Sequence, residues 1–287
     1  MNKFAIIDIG SNSVRLMLVA DGKVLYKEIN TTRLGEGIAQ TPILKDEAIE
    51  RSAIAVAKYY AKAKAEGAVT VLAFATAAVR SARNGNVFVQ RVKELCGLDV
   101  EVIAGETEAE IGILGALGMQ DGAVIDVGGA STELVVKIKG QITYKKSVNV
   151  GVVRLKDVCG RTETALFETS KNSAGLFEKV ENGVPVYAIG GTATTLAALI
   201  LGLEKYDPNK ITGFSIARET MLGWAKKLLK MRVEEIAKMP CVPNGRADVL
   251  TGGAVWLAVL MDELSIDKII VSDRDNLEGY AIYKGLM

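Results

Sequence analysis

The sequence predicts an α/β protein of two duplicated domains, each built on a mixed sheet, with a cleft between them. Three observations carry the prediction. A chain of 287 residues is longer than one ordinary core requires and suits two domains. Apolar runs bounded by turn residues alternate with amphipathic stretches along its length. The chain also repeats itself: residues 8–27 read DIGSNSVRLMLVADGKVLYK and residues 126–145 read DVGGASTELVVKIKGQITYK. Set together without a gap, Asp8 meets Asp126, Gly10 meets Gly128, Ser13 meets Ser131 and Leu16 meets Leu134. Gly22 then meets Gly140, and Tyr26-Lys27 meets Tyr144-Lys145.

Each copy begins with a short apolar run, Phe4–Ile7 or Ala123–Ile125, that ends in Asp. A glycine-containing tight turn follows, and a second strand runs back. Asp21-Gly22 and Lys139-Gly140 then supply hairpin turns that need positive φ at Gly. Lys45–Glu66 is an Ala-rich helix stopped by Gly67, and Val69–Ala75 is a strand. Asn86–Cys96 is a helix stopped by Gly97, Val100–Ile103 a strand, and Glu106–Leu117 a helix stopped by Gly118. The boundary falls near Gly118–Gly122, giving domains at residues 1–120 and 121–287. In the second half, Arg161–Gly183 is polar and weakly patterned and is expected to be an irregular surface excursion. Val186–Ile189 is a strand leading through Gly190-Gly191 into the helix Thr194–Leu201. Ile216–Met231 and Ala247–Leu264 are helices, and Lys268–Val271 is a strand. Glu278–Leu286 is a closing helix free to pack back on the first domain.

Composition excludes several classes. Hydrophobic residues at 49% and charged residues at 24% are those of a globular chain, not of a disordered tail or a fibre. Lys plus Arg number 35 against 34 for Asp plus Glu, a balance that argues against a nucleic-acid or membrane-surface binder. The chain has no histidine, which removes Ser-His-Asp triads, Cys-His dyads, histidine zinc sites and imidazole bases. Acid–base chemistry falls to a carboxylate, Lys, Tyr or Cys. Cys96, Cys159 and Cys241 lie far apart, match no metal-ligand spacing and read as reduced thiols of a cytoplasmic protein. The mean hydropathy of +0.23 comes from Ala and Val. Apolar stretches such as Ala254–Met261 fall far short of the about 20 residues a membrane span needs, and the first residues carry no secretory pattern.

Three glycine-containing turns follow apolar strands: Gly10-Ser11-Asn12-Ser13, Gly128-Gly129-Ala130-Ser131 and Gly190-Gly191-Thr192. Glycine allows close approach, and successive N–H groups, hydroxyls and Asn then make a nest for phosphate. A helix beginning after the third turn adds the positive end of its dipole. Asp8 and Asp126 would repel phosphate at such turns unless a cation such as Mg²⁺ lies between them; the alternative is a carboxylate capping its own turn. Glu133 joins the same site if the strand alternation holds through Thr132–Leu134. Arg15, its partner in the repeat, is a phosphate ligand or a solvated strand residue. Arg80, at a helix start after a strand, is a surface residue or a phosphate clamp. With histidine absent, the general base is sought in Glu106, Glu108 and Glu110, at least two of which serve the helix dipole. Glu108 shares a small apolar stripe with Ile111, Gly112 and Gly115, and Glu110, which falls with Ile113, Leu114 and Leu117, would also point partly inward.

The motifs DIGSNSVRLML, ATAAVRSARN, AGETEAEIGILGAL, DVGGASTELVV, GVVRLKDV and AIGGTATTLAAL, in this order, resemble those of the exopolyphosphatase/guanosine pentaphosphate phosphatase family. The resemblance extends to GRADVLTGG and IIVSDRDNLEGYAI, nearly the whole chain. It implies two actin-like (ribonuclease H-like) domains. It also implies Mg²⁺-dependent release of terminal phosphate from inorganic polyphosphate or guanosine pentaphosphate, and leaves a homodimer open. Glu108 resembles the family's catalytic glutamate, which orients or deprotonates the attacking water. Asp126 and Glu133 resemble the acidic pair that binds Mg²⁺ and also influences that water. Ser11, Asn12, Ser13, Arg80, Gly128 to Ser131 and Gly190 to Thr192 resemble phosphate contacts. Two departures stand out. Ala130 occupies the place of a third glycine, a cost if its φ is positive, and Leu277 stands where the family tends to have Arg, with Arg274 a possible substitute. They keep a non-catalytic alarmone or nucleotide sensor as the rival reading; a same-fold ATP-dependent kinase is the second rival.

Overall fold

The computed structural model describes residues 3–180 and 183–287. The first half runs β1 (Lys3–Ile9), β2 (Ser13–Ala20), β3 (Lys23–Thr31), α1 (Asp46–Ala65), β4 (Thr70–Ala75), α2 (Ala77–Ser81), α3 (Gly85–Cys96), β5 (Val100–Val102) and α4 (Gly105–Leu117). The second runs β6 (Gly122–Val127), β7 (Thr132–Ile138), β8 (Gln141–Val148), α5 (Val152–Cys159), α6 (Glu163–Ala174), β9 (Val186–Ile189), α7 (Gly190–Ile200), α8 (Pro208–Ile211) and β10 (Ser215–Ala217). It closes with α9 (Arg218–Lys230), α10 (Val233–Ala237), α11 (Ala247–Glu263), β11 (Lys268–Val271) and α12 (Asn276–Tyr283). The fold is α/β with two mixed sheets, ordered β3-β2-β1-β4-β5 and β8-β7-β6-β9-β11-β10.

The repeat is a repeat in three dimensions. In each half an antiparallel meander, β1-β2-β3 or β6-β7-β8, takes a parallel strand, β4 or β9, beside its first member. Asp8 pairs with Arg15 where Asp126 pairs with Glu133. Both second hairpins carry a bulge at the same step, Leu18/Val19 and Val136/Lys137. Both end in a turn with positive φ at two successive residues, Asp21-Gly22 and Lys139-Gly140, the geometry whose twist matches the flanking strands.

Strand alternation sorts the side chains into layers. Ala5, Ile7, Leu16 and Leu18 face α1 and α3 in one core. Phe4, Ile6, Met17 and Val19 face the other way and pack with Ile111 of α4 and Leu277, Tyr280 and Ala281 of α12. In the second half Val124, Val135 and Ile189 pack on Ala109, Ile113 and Leu117 of α4. The largest core lies behind that sheet, around Trp256 of α11. Thus α4 and α12 lie between the two sheets. They touch backbone to backbone, since a Cβ on Gly115 or Gly279 would overlap the other helix.

Three local expectations fail. Arg161–Gly183 is not an irregular excursion, because it contains α6 with Leu166, Ser170 and Ala174 buried. One buried position per turn is enough to dock a helix on α11 while leaving its composition polar; residues 181 and 182 lie outside the described residues. Ile216 belongs not to a helix but to β10, an edge strand paired with β11, and the helix starts at Arg218. Helix α7 begins at Gly190 rather than Thr194, so Gly190, Gly191 and Thr192 form its first turn.

Candidate active site

By the same alternation, Asp8 and Arg15 lie on the face of Ile6 and Met17, and Asp126 and Glu133 on the face of Val124 and Val135. All four therefore point into the layer between the sheets, at the end where the two hairpin turns meet. The turns are in contact: a Cβ at Gly129 would lie 2.7 Å from the Cβ of Ser11. A cavity of about 490 Å³ opens there. It brings together Asp8, the Ser11–Ser13 turn, Arg15, Glu108, Asp126, the Gly128–Ser131 turn and Gly190–Thr192. Of the residues expected from sequence, Arg80 and Glu133 stand behind its wall rather than on it.

The two turns are built alike. Gly10 N–H donates to Ser13 O and Gly128 N–H to Ser131 O, both at 3.0 Å. Those two donors are spent on the turns. Among the described residues the N–H groups of Ser11, Asn12, Gly129 and Ala130 donate to no protein acceptor, which leaves them for an anion. Ala130 has no positive φ, so the anticipated strain does not arise. Its methyl packs into the core of the other half, and its carbonyl accepts from Arg154 Nε at 2.8 Å.

The charged groups divide sharply. Asp8 is bound by Arg15, whose Nε donates to Oδ2 at 2.9 Å, and Arg15 Nη1 also meets Asp275. Arg15 is thus a largely buried ion-pair residue rather than a solvated one. Burial pushes the Asp8 carboxyl above its ordinary value in spite of Arg15. Asp126 Oδ2 accepts from Asn276 Nδ2 at 2.8 Å, and Glu133 Oε1 from Ser147 Oγ at 2.6 Å. Burial, then the neighbouring carboxylates, pushes Asp126 up to about 6 and Glu133 well above its ordinary value. Oxygens Oδ1 of Asp8 and Oε2 of Glu133 are buried without a partner among the described residues.

Glu108 projects from the first turn of α4 into this group. Its Oε2 accepts from Arg80 Nη1 at 3.0 Å, and the same Nη1 donates to Ile103 O at 2.9 Å. Burial pushes Glu108 up to about 7, against the pull of Arg80 and with a push from Asp126 and Asp8. Arg80 is therefore engaged by Glu108 in this structure. Glu106 is exposed, and Glu110 is paired with Lys145 at 2.7 Å, away from the cavity.

Arg246, which precedes α11, escaped the sequence argument as a site residue. Its guanidinium lies over Gly191, where any side chain would overlap it, while Gly190 holds a φ of +82° close to Asp126 Oδ1. Each glycine of the pair thus has its own reason. Arg246 forms no ion pair among the described residues and its Nε is unpartnered; burial, then Arg15, lowers it to about 10. A half-buried cation at the positive end of α7 is in want of an anion. No spacing rule could join residue 246 to residue 191. Of the two departures, Leu277 is fully buried in the inter-sheet core, and Arg274 faces solvent rather than the cavity.

The model of the Ppx/GppA phosphatase family matches residues 6–284. This chain belongs to that family. It is 31% identical to the exopolyphosphatase 2 of Mycobacterium tuberculosis over 98% of both chains. It is 25% identical to a guanosine-5'-triphosphate,3'-diphosphate pyrophosphatase of Pseudoalteromonas translucida over 100% of this chain and 59% of that one. The crystal structure of the Aquifex aeolicus Ppx/GppA family member superposes with a TM-score of 0.79 at 30% identity, covering 99% of this chain and 98% of that one. The protein is a phosphohydrolase acting on acid anhydrides. No helix among the described residues is long and apolar enough to cross a membrane.

Proposed function

We propose that the protein releases terminal phosphate from inorganic polyphosphate, in a Mg²⁺-dependent reaction in which Glu108 orients the attacking water and accepts its proton. The observation that carries this is Glu108 itself, a buried carboxyl facing the cavity and held at about 7. A base is most effective near the working pH. The terminal phosphoryl would rest against the free N–H groups of the two turns, with Arg246, on the cavity wall, as its counter-charge. Because phosphoryl transfer passes through a loose transition state, these residues act by holding the anion and the water in line, and Glu108 takes the proton late.

The donor set fits Mg²⁺. Among the described residues no three acidic groups converge into a ready-made cage. Mg²⁺ does not require one, since it keeps waters and uses substrate oxygens beside one or two carboxylates. Burial, then Glu108 and Asp126, raises the Glu133 pKa, and its buried Oε2 is unpartnered among the described residues, the imbalance a divalent cation would relieve. Asp8 already has Arg15 as its counter-charge, so it ranks behind them as a ligand. When bound, the ion would neutralise phosphate oxygens. Asp126, which lines the cavity, would hold it with Glu133 as the carboxyl behind, and Asn276 and Ser147 would orient the two carboxyls.

Guanosine pentaphosphate is the second substrate. The cavity continues past Gly191 to Tyr206, Val242 and Pro243, a wall that suits a nucleoside better than bare polyphosphate. A cytoplasmic setting fits the three free cysteines. The test is phosphate release from each substrate across a Mg²⁺ titration. Binding without release at any Mg²⁺ concentration would leave the sensor reading in its place.

A further inference from the structure

Two adjacent residues at the start of α12 each reach a different half of the site. Asp275 meets Arg15 Nη1, and Arg15 in turn binds Asp8 of the first hairpin. Asn276 Nδ2 donates to Asp126 Oδ2 of the second hairpin at 2.8 Å. Both are buried, at 6% and 5% exposure. Both are fixed from behind. Asp275 Oδ1 accepts from Leu277 N–H at 3.0 Å, and Glu278 Oε2 accepts from Asp275 N–H at 3.1 Å, a reciprocal cap on the helix. Glu278 is held by Lys27 at 2.8 Å. Helix α12 is seated on α4, the helix that carries Glu108, because Gly115 leaves room for the carbonyl of Asp275.

We propose that Asp275 and Asn276 are positioning residues that act as one clasp: Asp275 holds Arg15 back on Asp8, and Asn276 fixes the Asp126 carboxylate for a divalent cation. The physical reason lies in the donors. Arg15 spends Nε and Nη2 on Asp8, and Asp275 takes the remaining edge, at Nη1, that would otherwise turn to a phosphate. Asn276 can donate to Asp126 without adding charge, whereas a carboxylate in its place would repel it. The cation arm rests on the proposed Mg²⁺ reading, while the Arg15 arm does not.

Mn²⁺ binding, followed by electron paramagnetic resonance on the whole protein, tests the first arm. Asn276→Leu removes the donor at similar volume and should weaken Mn²⁺ binding about 10–100-fold, the usual cost of losing a group that orients a ligand. Asn276→Ser, smaller and polar, should weaken it likewise; either variant binding as tightly as the unaltered protein overturns this arm. No Mn²⁺ binding by the unaltered protein would refute the cation reading, and the clasp then stands or falls on Arg15. That arm is read by calorimetry with orthophosphate. Asp275→Asn keeps an acceptor for the helix cap but drops the charge, and should bind orthophosphate several-fold more tightly. Asp273→Asn removes a charge from the same loop without touching Arg15 and should shift binding less. Equal shifts in the two variants, or no tightening in Asp275→Asn, overturn the claim that Asp275 restrains Arg15.

Discussion

The two hairpins share a backbone and differ in charge. At the paired step after the turn, the first has Asp8 beside Arg15 and the second has Asp126 beside Glu133. One copy neutralises itself; the other sets two buried carboxyls side by side and faces a third, Glu108. The consequence is a gradient across a site of near-symmetric shape. In the first half a resident guanidinium answers the charge of Asp8, and the second half has no such cation beside its carboxyls. The repeated frame is the same in both halves, and one change of residue type at one register position gives them opposite charge balance.

The sharpest way to break this comparison is to remove the carboxyl that the acidic half faces. Glu108→Gln should lower kcat by about 10²–10⁴-fold, the range of a general base, with KM the less affected number. Glu106→Gln and Glu110→Gln should cost far less, since one is exposed and the other is paired with Lys145. A dead Glu110→Gln beside an active Glu108→Gln would move the chemistry away from the second hairpin.

The next effect is on stability. Asp126 stands at about 6 instead of 3.8, and Glu108 at about 7 instead of 4.5. A carboxyl whose pKa is raised by folding binds its proton more readily in the native state. Its contribution is therefore whole below the ordinary value and is lost as pH climbs to the native one. The metal-free protein should lose stability as pH rises between about pH 4 and 7, by on the order of 1 kcal/mol per pH unit for each extra proton the native state still holds. Mg²⁺ should restore more at pH 7 than at pH 5, because only the ionised carboxyls want it. Thermal unfolding at the two pH values, with and without Mg²⁺, checks this. A Mg²⁺ gain independent of pH would mean that the ion sits elsewhere.

Much of this was legible because it is local. The repeat predicts both hairpins and their turns, the absence of histidine narrows the base to Glu106, Glu108 and Glu110, and the family resemblance points to Glu108. The small-residue stripe of Gly112 and Gly115 beside Glu108 is the surface α12 packs on. What sequence could not reach is long-range pairing. Asp275 meets Arg15, Arg246 lies on Gly191 and Arg80 meets Glu108 only because distant elements converge. A residue's charge is plain in a sequence; whether a counter-charge already answers it is not. Arg15 and Arg80 were both candidates for phosphate, and both are already paired with protein. Arg246 has no acidic partner among the described residues, and nothing in its sequence context marks it. Helix α6 was missed for a different reason: three buried positions among polar neighbours make too narrow a stripe to stand out.

The smallest effect concerns the far ends of the hairpins, where the copies solve one problem in two ways. Both turns need positive φ at two residues in succession. The first uses Asp21, a residue type that tolerates the left-handed region. The second places Lys139 at a φ of 53°, and a carboxylate from outside the turn compensates. Asp121 accepts from Lys139 N–H at 2.6 Å and from Gly140 N–H at 2.9 Å. Those two hydrogen bonds hold the Asp121 carboxyl below its ordinary value, the sign expected when the charged form is the one bound. Lys139→Asn would give the second hairpin a residue suited to its own dihedrals while leaving the Asp121 clamp intact, because the clamp binds backbone. The variant should unfold about 1–3 °C higher with unchanged kinetics. Asp121→Ala should unfold at a lower temperature, and the gain from Lys139→Asn should be larger in that background, where the turn has lost its outside support. If the two changes are simply additive, the clamp and the turn residue act independently, and the two hairpins do not trade one device for the other.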